Sequence, residues 1–269
     1  MSSQHAEEMK AGTRFAFGEN WTRFLTELDD DRILKAERSL CEMLKVSDLH
    51  GKTFLDIGSG SGLFSLAARR LGATVHSFDF DPKSEACTRE LKRRYFPEDP
   101  NWSVEQGSAL DSAYLSALGK FDVVYSWGVL HHTGQMYQAF ENVAPCVAEK
   151  GSFFIAIYND QGFTSKYWLA VKRAYNKNPI FKFLIIALHT PNLYALRWLV
   201  RAATGRLPLE RGMSLWRDMI DWLGGFPFEV AKPEEVFRFF RAKGFSLEEQ
   251  ITCGGRMGCN EFVFRKTGH

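Results

Sequence analysis

Three glycines at alternate positions give the chain its clearest chemical signal. Gly58, Gly60 and Gly62 are separated by serines and directly follow the apolar segment 53–57. Glycine has no Cβ, so such a chain can turn sharply and bring its backbone close to a ligand, while the helix expected at 63–71 offers unpaired N–H groups. The pattern predicts a nucleoside-binding turn between a strand and a helix.

Two better-known glycine-rich turns do not fit this spacing. A dinucleotide-binding turn has the form Gly-x-Gly-x-x-Gly, but here the third glycine comes one position early, at Gly62, and Leu63 stands where that pattern needs glycine. A nucleotide-phosphate loop ends in Gly-Lys-Ser/Thr, and this turn contains no lysine. Both of these ligand classes are therefore disfavoured.

A carboxylate follows the next predicted strand. Residues 73–78 are apolar enough to form a strand that ends at Asp79, with Asp81 and Pro82 just beyond it. In a parallel sheet the ligand crevice lies outside the carboxyl ends of the strands, where an acid can accept hydrogen bonds from both ribose hydroxyls. Either aspartate can also cap the helix that starts near Pro82. We expect Asp79 to bind the ribose and Asp81 to cap the helix.

Two later segments complete a recognisable order. A strand predicted at 102–106 leads into the loop 107–111, and the apolar strand 121–127 ends in the segment 128–132. With the glycine turn and Asp79, these segments resemble those of a class I S-adenosylmethionine-dependent methyltransferase, closely over residues 50–158. The resemblance implies the cofactor S-adenosyl-L-methionine and the product S-adenosyl-L-homocysteine. The cofactor-binding residues that it implies are Asp56, Gly58, Ser59, Gly60, Gly62, Asp79, Phe80, Ser108, Ala109, Ser126 and Trp127.

Alternating strands and helices predict the architecture. Right-handed crossovers place helices on both faces of a parallel sheet, so we expect a doubly wound, Rossmann-like α/β fold. The resemblance implies a mostly parallel sheet of seven strands that closes with an antiparallel hairpin. We expect an N-terminal helical lid at 1–50, a cofactor-binding core at 51–159, a helical cap insertion at 160–230, and a C-terminal helix and hairpin at 231–269.

The insertion at 160–230 is rich in large rings and in positive charge. Rings at this density either fill the core of a small helical subdomain or line an apolar pocket, and we favour the core. From Gln161 to Leu209 no Asp or Glu occurs. The basic residues of that stretch are Lys166, Lys172, Arg173, Lys177, Lys182, Arg197, Arg201 and Arg206. They predict either a site for an anionic surface or substrate, or a solvated face balanced by acids elsewhere.

Polar residues near the expected crevice are candidates for contact with the methyl acceptor. A base of near-neutral pKa would suit a hydroxyl acceptor, so His131, His132 and Tyr158 are the catalytic candidates, although paired histidines also serve as packing residues. Asn159, Arg256 and Asn260 are the substrate-binding candidates.

Composition narrows the remaining choices. The chain has 269 residues, a net charge of +2 and five scattered cysteines without a Cys-x-x-Cys pair, so neither a metal site nor a disulfide framework is expected. The apolar run 180–188 is shorter than the ~20 residues that a membrane-spanning helix needs, so no transmembrane segment is expected. The N-terminus does not resemble a secretory signal, and we expect a cytoplasmic protein.

Three functions are compatible with these features. The first is a methyltransferase acting on a small or medium-sized organic acceptor that is hydrophobic or anionic. The second is an RNA methyltransferase, which the nearly balanced charge makes less favoured. The third is a non-catalytic scaffold that retains the cofactor pocket.

Overall fold

The computed structural model describes residues 2–203 and 215–268. Seven strands form one sheet in the order β3-β2-β1-β4-β5-β7-β6. Their bounds are β1 Thr53–Ile57, β2 Thr74–Asp79, β3 Trp102–Gln106, β4 Phe121–Trp127, β5 Val147–Tyr158, β6 Phe245–Ile251 and β7 Cys259–Lys266. All neighbours run parallel except β7, which is antiparallel to both β5 and β6. The predicted fold class, a mostly parallel seven-stranded sheet, is confirmed.

Helices flank the sheet, and three of them precede its first strand along the chain. Their bounds are α1 Ser2–Lys10, α2 Phe17–Glu27, α3 Asp30–Leu44, α4 Leu63–Arg70, α5 Pro82–Tyr95, α6 Ser112–Leu118, α7 Met136–Val143, α8 Phe163–Lys177, α9 Pro179–Thr190, α10 Arg197–Ala203, α11 Leu215–Gly224 and α12 Pro233–Ala242. Short 3₁₀ turns occur at Leu130–His132 and Ala144–Cys146, and a π-helical turn at Pro191–Leu196 joins α9 to α10.

The strand order reverses beside β1, and this reversal positions the site. Strand β1 pairs in parallel with β2 on one side and with β4 on the other. The chain therefore leaves β1 and β4 towards opposite faces of the sheet, which opens a crevice at their carboxyl ends. Four of the five β1 residues are buried, as expected for a strand that is covered on both faces.

Aspartates cap helices α3 and α5, and one of them also anchors α2. Helix α3 begins where Asp29 accepts a hydrogen bond from Arg32 N at 2.9 Å. Asp81 caps α5 by accepting from Lys83 N at 2.9 Å, and its other oxygen accepts from Gly18 N at 2.8 Å. One carboxylate therefore caps α5 and holds the start of α2 against it.

The insertion has a core of its own. Trp168, Tyr175, Met219 and Phe228 pack with Phe15 in a cluster separate from those on the two faces of the sheet. Several other rings of the insertion neither fill this core nor line a pocket but are exposed: Phe163, Tyr167, Phe181, Phe183, Trp198 and Trp216. Arg206, one of the basic residues counted above, lies outside the described residues.

One helical run among the described residues satisfies the length and composition criteria for crossing a membrane. Residues Pro179–Arg201 have a mean hydropathy of 1.3 in their most apolar window, and 12% of that window is buried in the protein. The apolar run 180–188 thus continues into a longer helical segment than the sequence indicates. Length and composition are weak evidence for a span, because core helices pass the same test.

Candidate active site

The glycine turn leaves β1 in a conformation that favours glycine. Gly58 and Gly60 have φ values of +75° and +58°, in the left-handed region that side chains with a Cβ rarely adopt. A Cβ at Gly58 would lie 2.4 Å from Cγ1 of Val129, and one at Gly60 would lie 3.1 Å from the ring of Trp21. The turn therefore needs glycine both for its backbone conformation and for its close neighbours.

Asp79 links this turn to the end of β2. Its carboxylate accepts hydrogen bonds from Gly60 N and from Asp81 N, each at 2.9 Å. Burial raises the pKa of Asp79 to about 7, although the two backbone donors oppose that rise. The carboxylate thus fixes the turn while it faces the cavity.

Asp56 lies inside β1, next to the turn. Its side chain is 2% exposed and accepts a short hydrogen bond from the Ser65 hydroxyl, which in turn accepts from Ser77 at 2.7 Å. Burial raises the pKa of Asp56 to about 7. A chain of hydroxyl groups therefore holds this carboxylate in place beneath the turn.

A cavity of about 1340 Å³ covers the carboxyl ends of β1, β2 and β4. At one end it is lined by Asp79, Phe80 and Ser108, and at the other by Tyr158, Trp222 and residues of the helical cap. The two ends are continuous past Trp127 and Gly128. This volume exceeds the ~1,000 Å³ of the larger ordinary ligand pockets, so the cavity has room for two molecules side by side.

Most of the predicted cofactor-binding residues line this cavity. Those that do are Asp56, Gly58, Ser59, Gly60, Asp79, Phe80, Ser108, Ala109 and Trp127. Gly62 and Ser126 do not line it. Gly62 is the N-cap of α4, and the buried Ser126 hydroxyl donates to Ile57 O at 3.3 Å. Gly62 therefore shapes the end of the glycine turn, and Ser126 joins the end of β4 to β1.

The two neighbouring histidines have different surroundings. His132 lines the cavity, and its Nδ1 donates to Pro227 O at 2.6 Å; because a carbonyl can only accept, Nε2 keeps its lone pair. His131 is fully buried outside the cavity lining, and its Nδ1 accepts from Tyr158 N at 3.3 Å. Its Nε2 has no hydrogen-bond partner in the described part of the chain. Burial lowers the pKa of both, that of His132 to about 3, so both rings are neutral at neutral pH.

Only one of the three predicted substrate residues reaches the cavity. Arg256 lines it, from the loop between β6 and β7. Asn260 donates to Asn159 Oδ1 at 3.0 Å and accepts from Cys253 N at 3.1 Å, while Asn159 donates to Arg256 O at 3.4 Å. The two asparagines therefore hold the loop that carries Arg256.

The sequence predicts an N-terminal lid but does not identify the residues of that lid that line the cavity. Gln4, His5 and Glu8 of α1 line it, as do Phe17 and Trp21 of α2. His5 Nε2 lies 3.8 Å from Asp81 Oδ2, and Arg14, which precedes α2, lies over the Phe80 ring at 4.6 Å. Rings at positions 15, 17 and 21 were the available signal, but α1 is polar and has no apolar periodicity.

A family model described as a methyltransferase domain matches residues 25–209 of the 269 residues. The chain belongs to this family. The predicted class, S-adenosylmethionine-dependent methyltransferase of class I, and the predicted cofactor are confirmed at the level of the family. The cavity fits that cofactor, because the glycine turn has no room for a Cβ and two carboxylates, Asp56 and Asp79, face a ligand that carries a sulfonium and no phosphate.

The names of two relatives of this methyltransferase refer to different methyl acceptors. The chain is 31% identical over 123 residues to a ribosomal protein L11 methyltransferase of Helicobacter hepaticus, over 41% of this chain and 38% of that protein. It is 29% identical over 127 residues to a ubiquinone biosynthesis O-methyltransferase of Escherichia coli, over 46% of this chain and 49% of that protein. The chain thus matches less than half the length of these curated relatives.

Solved structures share the fold. A magnesium protoporphyrin IX methyltransferase from Synechocystis with bound S-adenosylhomocysteine superposes with a TM-score of 0.53 at 12% identity, covering 87% of this chain and 83% of that one. A [4+2]-cyclase superposes with a TM-score of 0.54 at 12% identity, covering 86% and 79%. At such identities the likeness is one of fold.

Proposed function

We propose that this methyltransferase transfers the methyl group of S-adenosylmethionine to a small or medium-sized organic acceptor that binds beneath the helical cap. The continuous cavity carries this proposal, because it extends from the carboxylates at β1 and β2 to the cap residues Leu193, Met219 and Trp222. A concave cavity that is lined mainly by apolar and aromatic side chains, with a few polar groups, is the usual form of a small-molecule site.

We assign the glycine turn, Asp56 and Asp79 to the cofactor and the cap side to the acceptor. The cofactor supplies an electrophilic methyl group. The chain itself has to align the acceptor's nucleophilic atom in line with that group and keep water out. Arg256 provides a positive charge at the acceptor end, while Tyr158 and Trp222 provide apolar surface. An acceptor with an apolar body fits this end of the cavity, where Arg256 and Asp221 bring both signs of charge.

His132 is the residue that we assign to orienting the acceptor. Its Nδ1 proton is committed to Pro227 O, so the Nε2 lone pair can accept a hydrogen bond from a hydroxyl or amine. A pKa of about 3 makes the ring a weak proton acceptor. We therefore attribute orientation to His132 rather than complete removal of the proton.

A protein acceptor is the second candidate, and the Helicobacter relative named for ribosomal protein L11 favours it. RNA is less favoured, since the exposed basic residues Lys166, Arg173 and Lys177 are absent from the cavity lining. A scaffold role would require binding without turnover. We keep the cytoplasm as the proposed location.

Methyl transfer from radiolabelled S-adenosylmethionine tests the proposal. The purified protein is incubated separately with a small-molecule extract, with ribosomal protein and with total RNA, and the incorporated label is counted. Asp79→Ala is the inactive control. Label in the small-molecule fraction alone supports the proposal. Label in protein or RNA contradicts it, and cofactor binding without label in any fraction favours the scaffold.

A further inference from the structure

Helix α9 has an apolar stripe on the side that faces away from the protein. Ile180, Phe183, Leu184 and Leu188 recur at helical spacing, and each is more than half exposed. On an ordinary surface helix this spacing marks the side that faces the core, while the opposite side is polar. Here the stripe has no cover in the described structure. A surface of this kind marks an interaction site.

The other side of α9 is fastened to the cap. His189 is buried, donates through Nδ1 to Ile185 O at 2.7 Å and accepts from the Tyr167 hydroxyl at 2.8 Å. Further along, Leu193 is buried in the core of the cap. The run Pro179–Arg201 therefore lies along the protein surface with one side exposed, which is the placement of an interfacial helix rather than of a span.

Positive charge accompanies the apolar stripe. Helix α8 packs antiparallel to α9, since Tyr167 contacts His189 and Tyr175 contacts Lys182. Its exposed side bears Phe163, Lys166, Arg173 and Lys177 at helical spacing. No Asp or Glu occurs from Gln161 to Leu209. The outer surface of the cap is thus apolar and basic together, and Trp198 at the start of α10 adds an exposed indole.

We propose that this outer cap surface, formed by α8, α9 and Trp198, docks on an anionic lipid bilayer. Lysine and arginine attract anionic headgroups, while Phe, Leu, Ile and Trp side chains enter the boundary between headgroups and acyl chains. A second copy of the chain is a poorer occupant, because a symmetric contact would bring the same basic residues face to face. This docking is independent of which acceptor the cavity binds.

Vesicle co-sedimentation tests the docking directly. The full chain is mixed with vesicles of phosphatidylcholine alone or with 30% phosphatidylglycerol, and the bound fraction is measured at low and high salt. We expect binding to the anionic vesicles to exceed that to the neutral ones by about tenfold, and to weaken at high salt as the charges are screened. Equal binding to both vesicles, or none to either, overturns the proposal.

Paired substitutions locate the surface. The double variant Ile180→Ser with Leu188→Ser should bind anionic vesicles about 100-fold more weakly, because each apolar side chain that no longer enters the lipid should cost about tenfold in affinity. Ile251→Ser is the control, since Ile251 is an exposed apolar residue on the edge strand β6 and belongs to none of α8, α9 and α10. Unchanged S-adenosylhomocysteine binding shows that each variant is folded. Equal loss in the control, or no loss in the double variant, contradicts the assignment.

Two further measurements separate the lipid from other occupants. Vesicles with brominated acyl chains should quench the fluorescence of Trp198, and Trp198→Phe should remove that part of the quenching. Sedimentation without lipid should give a monomer. A dimer that Ile180→Ser with Leu188→Ser dissociates would mean that a second copy covers the surface, and the proposal would be wrong.

Discussion

Removal of the Asp79 carboxylate is the most direct test of the cofactor site. Both of its oxygens already accept backbone hydrogen bonds, from Gly60 N and Asp81 N, and the carboxylate faces the cavity. Two ribose hydroxyls would add hydrogen bonds to a charged acceptor, each worth about 1.5–3 kcal/mol. We expect Asp79→Ala to weaken S-adenosylhomocysteine binding by about 10²-fold or more.

Titration calorimetry with S-adenosylhomocysteine measures the loss, and Asp122→Ala is the matched control. Asp122 accepts hydrogen bonds from Thr53 N at 2.9 Å and from the Thr53 hydroxyl at 3.0 Å, at the opposite end of β1 from the crevice. Its removal costs two comparable hydrogen bonds without touching the cavity. We expect the control to unfold more easily but to bind with unchanged Kd. Equal weakening in both variants would refute the assignment of Asp79.

The pH dependence of the same Kd provides an independent check. Burial raises the pKa of Asp79 to about 7 in the free protein, and a ligand that donates to the carboxylate favours the ionised form. Affinity should therefore increase as pH rises through 7. If Asp79 alone is responsible, the affinity for S-adenosylhomocysteine should be about eightfold lower at pH 6 than at pH 7.5. Asp79→Asn should flatten this dependence, leaving the contribution of Asp56. A wild-type Kd that is constant over this range would contradict the reasoning.

Three other predictions concern single side chains. Lys172 is fully buried, and burial lowers its pKa from 10.5 to about 7, so between pH 7 and pH 10.5 the unfolded chain binds a proton that the folded protein does not. The free energy of unfolding of Lys172→Met relative to wild type should therefore rise by about 3 kcal/mol when the pH falls from 10 to 7. A difference that does not change with pH in chemical denaturation would contradict this. Gly58→Ala should destabilise the fold more than Gly51→Ala and should abolish cofactor binding. Both glycines have positive φ, but only at Gly58 would a Cβ clash with a neighbour, Val129. Similar melting temperatures of the two variants would be inconsistent with the clash. His132→Gln should lower kcat by about tenfold or more and leave the Kd for S-adenosylhomocysteine unchanged, whereas a lost Kd would place His132 with the cofactor.

The sequence predicted those parts of the site that are formed by residues close together in the chain. The glycine turn follows β1 directly, and Asp79 ends β2, so their meeting in the crevice needs only the parallel pairing of two strands. The helix cap at Asp81 was equally local. Its second oxygen, which accepts from Gly18 N, joins residues 63 positions apart and has no local signal. The contribution of His5 is of the same kind, since it depends on where α1 docks.

The rings of the insertion show why composition alone was insufficient there. Sequence left a choice between core and pocket, but Trp168 lies in the core, Trp222 lines the cavity, and Phe183 is exposed on the outer cap surface. Helix α9 is apolar on nearly all sides, so its periodicity cannot tell which side faces inward. The inward side of α9 carries the buried His189, which is hydrogen-bonded to Tyr167, and Ile185 and Ile186, which pack against the core of the cap. The orientation of α9 therefore depends on contacts with α8 and with the core of the cap, which the sequence of α9 does not contain.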